Sequence, residues 1–160
     1  GVRTFFNILG PLVNPVRPRY QLAGTFSLEL LRLYHYLLQQ TQTQYAVVHA
    51  LDGYDELSLT GAAKVASAAG EQIVTAADFG LAATTAAELA GGQTVEESAK
   101  MFLDVLEGRA TAPQRAVVTA NAALAIQCVK PEFGFAEALA AAQESLDSGR
   151  AREALRNLLA

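Results

Sequence analysis

The stretch from Tyr20 to His49 limits the possible folds more than any other part of the chain. An apolar run (Tyr20 to Phe26, YQLAGTF) precedes a helical pattern (LELLRLYHYLLQQ), and a second apolar run follows at Tyr45 to His49. Strand, helix and strand within about thirty residues make a βαβ unit, whose strands lie parallel and are joined by a right-handed crossover. Ser27 suits the N-cap of the helix, and Leu30, Leu33, Tyr34, Leu37 and Leu38 recur at helical spacing. Neither strand alternates polar with apolar residues, as expected of buried strands with helices over both sheet faces. The expected fold class is therefore α/β, with a mostly parallel sheet and flanking helices.

The remaining segments fit around that unit. Residues 1–18 (GVRTFFNILGPLVNPVRP) read as the end of a helix stopped by Gly10 and Pro11, then a connector stiffened by Pro11, Pro15 and Pro18. Residues 19–160 read as one α/β unit. Lys64 to Ala76 has the pattern of a hairpin about Gly70 at the sheet's edge, and Ala77 to Leu89 that of a connector or short helix. Thr94-Val95-Glu96-Glu97 has capping-box spacing for a helix ending near Gly108. Pro113 is placed as a first-turn proline of the next helix, which Pro131 ends. A helix over Phe135 to Asp147, closed near Gly149, and a last amphipathic turn or two over Arg150 to Leu159 close the chain.

The chemistry concentrates just past the second strand, in Leu51-Asp52-Gly53-Tyr54-Asp55-Glu56. Three carboxylates this close repel one another unless water, hydrogen-bond donors or a cation screens them. The turn follows the carboxyl end of a parallel strand, where open α/β sheets bind ligands. The residues alone leave open a solvated surface turn and a divalent-metal site. His49 precedes the turn without a serine or cysteine nucleophile beside it, so the expected role is to hold the turn by a hydrogen bond. His35 is expected at the surface of the first helix. Asn121 reads as a buried amide bonding a neighbouring loop, and Cys128 as a core residue. Gly91-Gly92 lacks the preceding strand and following Lys-Ser/Thr of a phosphate loop, and reads as a lead-in to a helix. No residue is assigned a catalytic role of its own.

Composition narrows the function classes. The chain has 160 residues, 51% of them hydrophobic and 18% charged, with a formal net charge of −4. That balance describes a globular chain and argues against a nucleic-acid or anionic-membrane partner. A single cysteine excludes an internal disulfide and fits a reducing, cytoplasmic setting. No apolar run reaches bilayer-spanning length. The chain begins at Gly1 and runs straight into patterned sequence, so it is read as part of a longer protein.

Two long motifs carry a family resemblance. Residues 1–15, Gly-Val-Arg-Thr-Phe-Phe-Asn-Ile-Leu-Gly-Pro-Leu-Val-Asn-Pro, resemble the RTxFNxLGPLxNP signature of the anthranilate phosphoribosyltransferases. Val48 to Thr60, VHALDGYDELSLT, is similar to their VVHGxDGxDExSLT segment, and Asp78-Phe79-Gly80-Leu81 and Glu88-Leu89-Ala90-Gly91-Gly92 follow in order. Ala50 departs from the family's glycine and Ser98 from a common asparagine. Pyrimidine nucleoside phosphorylases share the fold and are the alternative within it. A noncatalytic α/β interaction domain is the alternative from another class.

The resemblance implies a Mg²⁺-dependent transfer of the phosphoribosyl group from phosphoribosyl pyrophosphate to anthranilate, with release of pyrophosphate, in tryptophan biosynthesis. It implies metal binding by Asp55 and Glu56, and an apolar wall of the anthranilate pocket from Gly10 and Pro11. It implies the C-terminal part of the catalytic lobe, joined by residues 1–18 to a helical lobe, in a protein that is homodimeric at full length. The family's glycine-rich pyrophosphate loop, helical lobe and anthranilate-binding arginine are not among these 160 residues. Half an active site is therefore expected, inactive on its own.

Overall fold

A computed structural model describes residues 9–160. The expected helix end falls mostly on residues 1–8, outside the described residues. Gly10 and Pro11 themselves lie in a single 3-10 turn, Gly10–Leu12, in which proline occupies a first-turn position needing no amide donor. The connector then leads to β1 (Tyr20–Gly24), and the Gln21 side chain pins it by donating to the Pro11 carbonyl at 2.7 Å.

After β1 come α1 (Leu28–Leu38), β2 (Gln44–Ala50), β3 (Ala63–Ser67) and β4 (Gly70–Val74). A 3-10 turn at Ala76–Phe79 and a long connector lead to α2 (Val95–Leu106), α3 (Ala112–Val129), α4 (Phe135–Asp147) and α5 (Arg150–Leu159). The four strands form one sheet in the order β1-β2-β3-β4. The pair β1 and β2 is parallel, as the crossover requires, with Ala23 opposite Val47. The pairs β2–β3 and β3–β4 are antiparallel. The class is α/β as expected, but the described sheet is mixed rather than mostly parallel. The reason is that β2 returns to β3 through a loop on the same edge, not through a helix.

Alternation along β2 divides the core. Tyr45 and Val47 face α1, where Leu30, Leu31, Tyr34 and Leu38 are buried with them. The buried stripe of α1 thus contains Leu31, whereas Leu33 and Leu37 are 45% and 39% exposed. On the other face Ala46, Val48 and Ala50 pack against Ala120, Ala123 and Leu124 of α3, and α4 lies outside with Ala138 and Leu139. Small residues on β2 and α3 let helix and sheet approach closely, which explains the alanine-rich composition. Cys128 belongs to this core, its thiol pointing at the Gln21 carbonyl, and burial raises its pKa.

The expectation that β1 is buried fails. Tyr20 is 40% and Leu22 36% exposed, because β1 is the outer strand of the described sheet. The hairpin about Gly70 holds as expected and forms the opposite edge. Gly70 has φ of 122°, a conformation that L side chains rarely adopt, and Lys64 pairs with Glu71 across the strands at 2.6 Å. Thr111 caps α3 in a capping box with Gln114, which places Pro113 second in the helix rather than first. Thr94 caps α2, but the Glu97 carboxylate reaches past it to the Gln93 amide at 2.6 Å. Among the described residues no helix is long and apolar enough to cross a membrane.

Candidate functional site

The carboxyl ends of β1 and β2 lie side by side because the pair is parallel, and the candidate site is built on their exits. The chain leaves β2 at Ala50, turns through Gly53 at φ of 105° and returns to β3 at Ala63. The turn closes through its own backbone: Gly53 N donates to Ala50 O, and Ala50 N to Tyr54 O, both at 2.9 Å. Ala50 is fully buried, so the methyl that departs from the family's glycine packs into the core.

The crowded carboxylates of this turn separate into two roles. Asp52 accepts a hydrogen bond from the Thr60 hydroxyl and longer ones from the Ser58 hydroxyl, at 3.4 Å to each oxygen. It ties the start of the loop to its end, which leaves Asp55 and Glu56. Both are exposed, and neither has an ion pair or a side-chain hydrogen bond among the described residues. Adjacent, hard and unpaired oxygens suit a small divalent cation that keeps water and phosphate in its other positions. Among the described residues no three His, Cys, Asp or Glu side chains come together, so the protein here offers no closed metal cage.

The surroundings of the pair are rigid. Leu57 is buried, and its amide donates to Asn121 Oδ1 at 2.9 Å while Asn121 Nδ2 donates to its carbonyl at 2.8 Å. Asn121 thus bonds a neighbouring loop as expected, although it is half-buried rather than buried, and the loop it holds is the acidic turn. Thr84, from the connector before α2, donates its hydroxyl to Ser58 O at 3.0 Å and its amide to Leu59 O at 2.9 Å. His49 is 7% exposed, and its Nδ1 donates to the Thr25 carbonyl at 2.7 Å. It holds a loop as expected, although that loop is the exit of β1 rather than the acidic turn. His35 is half-buried, with Nδ1 2.9 Å from the Tyr45 hydroxyl, and lies away from the site.

Glu56 also borders an apolar cleft of about 520 Å³ between the turn, α2 and α3, where Tyr54, Leu89, Met101, Phe102 and Val117 line it. Gly91-Gly92 forms the lead-in to α2 as expected, not a phosphate loop. Gly10 and Pro11 lie elsewhere. Both are exposed, and Pro11 borders a cleft with Gln21, Leu38 and Thr43 beside the amino ends of β1 and β2. The described structure therefore does not bring Gly10 and Pro11 together with Asp55 and Glu56. Sequence reasoning missed Gly24, packed so closely on the acidic turn that a Cβ there would lie 1.8 Å from the Asp55 carbonyl oxygen, and Thr84. A glycine ending an apolar strand was the only signal for the first, and the second had none.

Comparison with known proteins agrees with this architecture. The pattern of the glycosyl transferase family, a/b domain, matches residues 1–152. The anthranilate phosphoribosyltransferase of Cytophaga hutchinsonii is 52% identical over 153 residues, covering 96% of this chain and 47% of that protein. That of Bacteroides thetaiotaomicron is 52% identical over 158 residues, covering 99% and 48%. Among solved structures, the Thermus thermophilus anthranilate phosphoribosyltransferase superposes with a TM-score of 0.86 at 33% identity, over 98% of this chain and 47% of that one. The Saccharomyces cerevisiae enzyme in complex with PRPP and Mg gives 0.87 at 25% identity, over 98% and 45%. The chain spans about half the length of the curated relatives it matches. Matched by the family pattern from Gly1 to Arg152, and similar over nearly all its length to proteins of one kind, the chain belongs to the glycosyl transferase family, whose a/b domain it carries.

Proposed function

We propose that the chain is the C-terminal portion of an anthranilate phosphoribosyltransferase, with residues 1–18 as the connector between lobes and residues 19–160 as part of the α/β lobe. The whole protein transfers the 5-phosphoribosyl group of phosphoribosyl pyrophosphate to the amine of anthranilate, releasing pyrophosphate, in cytoplasmic tryptophan biosynthesis. It acts as a homodimer at full length. The observation that carries the reading is the carboxylate pair Asp55-Glu56, without a side-chain partner among the described residues, at a strand exit in a chain 52% identical to enzymes of this name.

Asp55 and Glu56 hold Mg²⁺ in this reading. When bound, the ion supplies neutralising charge for the departing pyrophosphate. The other residues work on geometry. Asn121 fixes the backbone that carries the pair, Asp52 keeps the loop from opening, and His49 holds the neighbouring strand exit. Gly10 and Pro11 contribute an apolar wall for the aromatic acceptor once the helical lobe packs against the connector. The acceptor is an aromatic amine, uncharged at neutral pH, whose lone pair bonds to the ribosyl carbon as the bond to pyrophosphate breaks, and the proton it then sheds goes to the released pyrophosphate or to solvent.

The test is the double substitution Asp55→Asn with Glu56→Gln in the full-length protein, followed by loss of anthranilate fluorescence as Mg²⁺ is varied. Activity is expected to fall by about a hundredfold or more, from lost electrostatic stabilisation of the transition state. Unchanged turnover with an unchanged requirement for Mg²⁺ overturns the assignment. Turnover of a pyrimidine nucleoside with phosphate, and none with anthranilate, would move the protein to the phosphorylases.

A further inference from the structure

We infer that Gly24 and Asn121 are positioning residues that seat the Asp55-Glu56 turn at two points, one at Asp55 and one at Leu57, which fixes where its two carboxylates meet a divalent cation; this rests on the metal-holding role proposed above. At the first point, a Cβ at Gly24 would lie 1.8 Å from the Asp55 carbonyl oxygen, 2.9 Å from its carbonyl carbon and 3.3 Å from its Cβ. The closest of these are backbone atoms, so no rotamer change relieves the clash, and only glycine lets the two segments touch. Nor can Gly24 withdraw. Thr25 donates to the Val48 carbonyl from its amide at 2.9 Å and from its hydroxyl at 3.2 Å, and His49 Nδ1 grips the Thr25 carbonyl at 2.7 Å. The end of β1 is fastened to β2, so an added methyl displaces the acidic turn instead.

Asn121 supplies the second hold. Its two bonds to Leu57 fix both polar groups of the residue that follows Glu56, and a third, from Nδ2 to Val117 O at 2.9 Å, orients the amide on its own helix. The turn is thus held at Asp55 by its backbone contact with Gly24 and at Leu57 by the Asn121 amide. Neither side chain is a metal ligand in this reading, since glycine has none and both polar atoms of the Asn121 amide are engaged with backbone groups. Gly24 and Asn121 set the direction in which the carboxylates leave the backbone, the role that outer partners of metal ligands play in tuning affinity.

The experiment uses the full-length protein with Mn²⁺ as the probe, its binding followed by electron paramagnetic resonance in the presence of inorganic pyrophosphate. Gly24→Ala and Asn121→Ala are each expected to weaken Mn²⁺ binding by about tenfold or more. Each should raise the half-saturating Mg²⁺ concentration in turnover by a similar factor and leave KM for anthranilate unchanged. A merely structural role lowers the folded fraction without altering the affinity of the molecules that fold, so a folded variant with wild-type Mn²⁺ affinity overturns the inference. If neither variant folds, hydrogen exchange on the wild-type protein decides. Mn²⁺ with pyrophosphate should slow exchange at Gly24 to Phe26 and at Leu57 together, and binding without that joint protection overturns the inference. The Asp55→Asn/Glu56→Gln variant separates the two claims. Retained Mn²⁺ binding there defeats the metal role itself, whereas its loss there with normal binding in Gly24→Ala defeats the seat alone.

Discussion

At the scale of single residues, position in the hydrogen-bond network decides role more than residue type does. Asp52, Asp55 and Glu56 are chemically alike and lie within one turn, yet Asp52 is taken up by Ser58 and Thr60 while the other two have no side-chain partner among the described residues. Asn121 shows the same dependence. Its side chain substitutes for a strand neighbour by pairing with both polar groups of a buried backbone residue. Replacing it with alanine leaves the Leu57 amide and carbonyl without these partners, which should cost about 1–3 kcal/mol of stability. Urea unfolding of the full-length variant checks this, and a change below about 0.5 kcal/mol, the range of ordinary surface substitutions, would mean that water replaces the clasp.

At the scale of elements, α2 shares with the terminal α5 the absence of any buried residue. Its C-terminal end is organised by charge rather than by packing. The Asp104 carboxylate meets Lys100 one turn back at 2.5 Å and the Arg109 side chain beyond the helix end at 2.8 Å. Lys100 foremost, and Arg109 after it, hold the Asp104 carboxyl below its ordinary value of 3.8. A carboxyl depressed in the folded state stabilises that state above the unfolded value of 3.8, and the contribution is lost as pH falls through the lower folded value. The end of α2 is therefore expected to loosen in acid below that point. A carbon-detected NMR titration should place the Asp104 carboxyl midpoint under 3.8, and Asp104→Asn should remove the acid dependence of amide exchange around Leu106. A midpoint at or above 3.8 would contradict the pairing.

At the scale of the whole molecule, the described sheet has an open side. β1 lies at its edge with Tyr20 and Leu22 exposed, and Phe26 beside it is 43% exposed. Val95 and Phe102 of α2, at 80% and 54%, add apolar surface next to the cleft that Glu56 borders. An unpaired strand edge together with apolar surface promotes association. The 160 residues expressed alone are expected to self-associate with rising concentration in sedimentation velocity and to form no phosphoribosylanthranilate. A monodisperse, active preparation would refute both expectations. Pairing of β1 with a further strand in the full-length protein would bury these side chains and restore the two-sided burial that an apolar strand sequence implies.

Much of this organisation could be read from the sequence. The βαβ unit, the hairpin about Gly70, the helices Phe135–Asp147 and Arg150–Leu159 and the acidic turn at a strand exit all follow from periodicity, caps and turn residues. Those signals are local, set by residues a few positions apart. What only the tertiary structure decided involves partners distant along the chain: the antiparallel return of β3 onto β2, the edge position of β1, the bond from Asn121 to Leu57 across 64 residues, and the contact of Gly24 with the Asp55 backbone. A strand's sequence states that it will be buried and paired, but not by which neighbour or in which direction. Those choices depend on how the whole chain satisfies its backbone hydrogen bonds and excludes water at once.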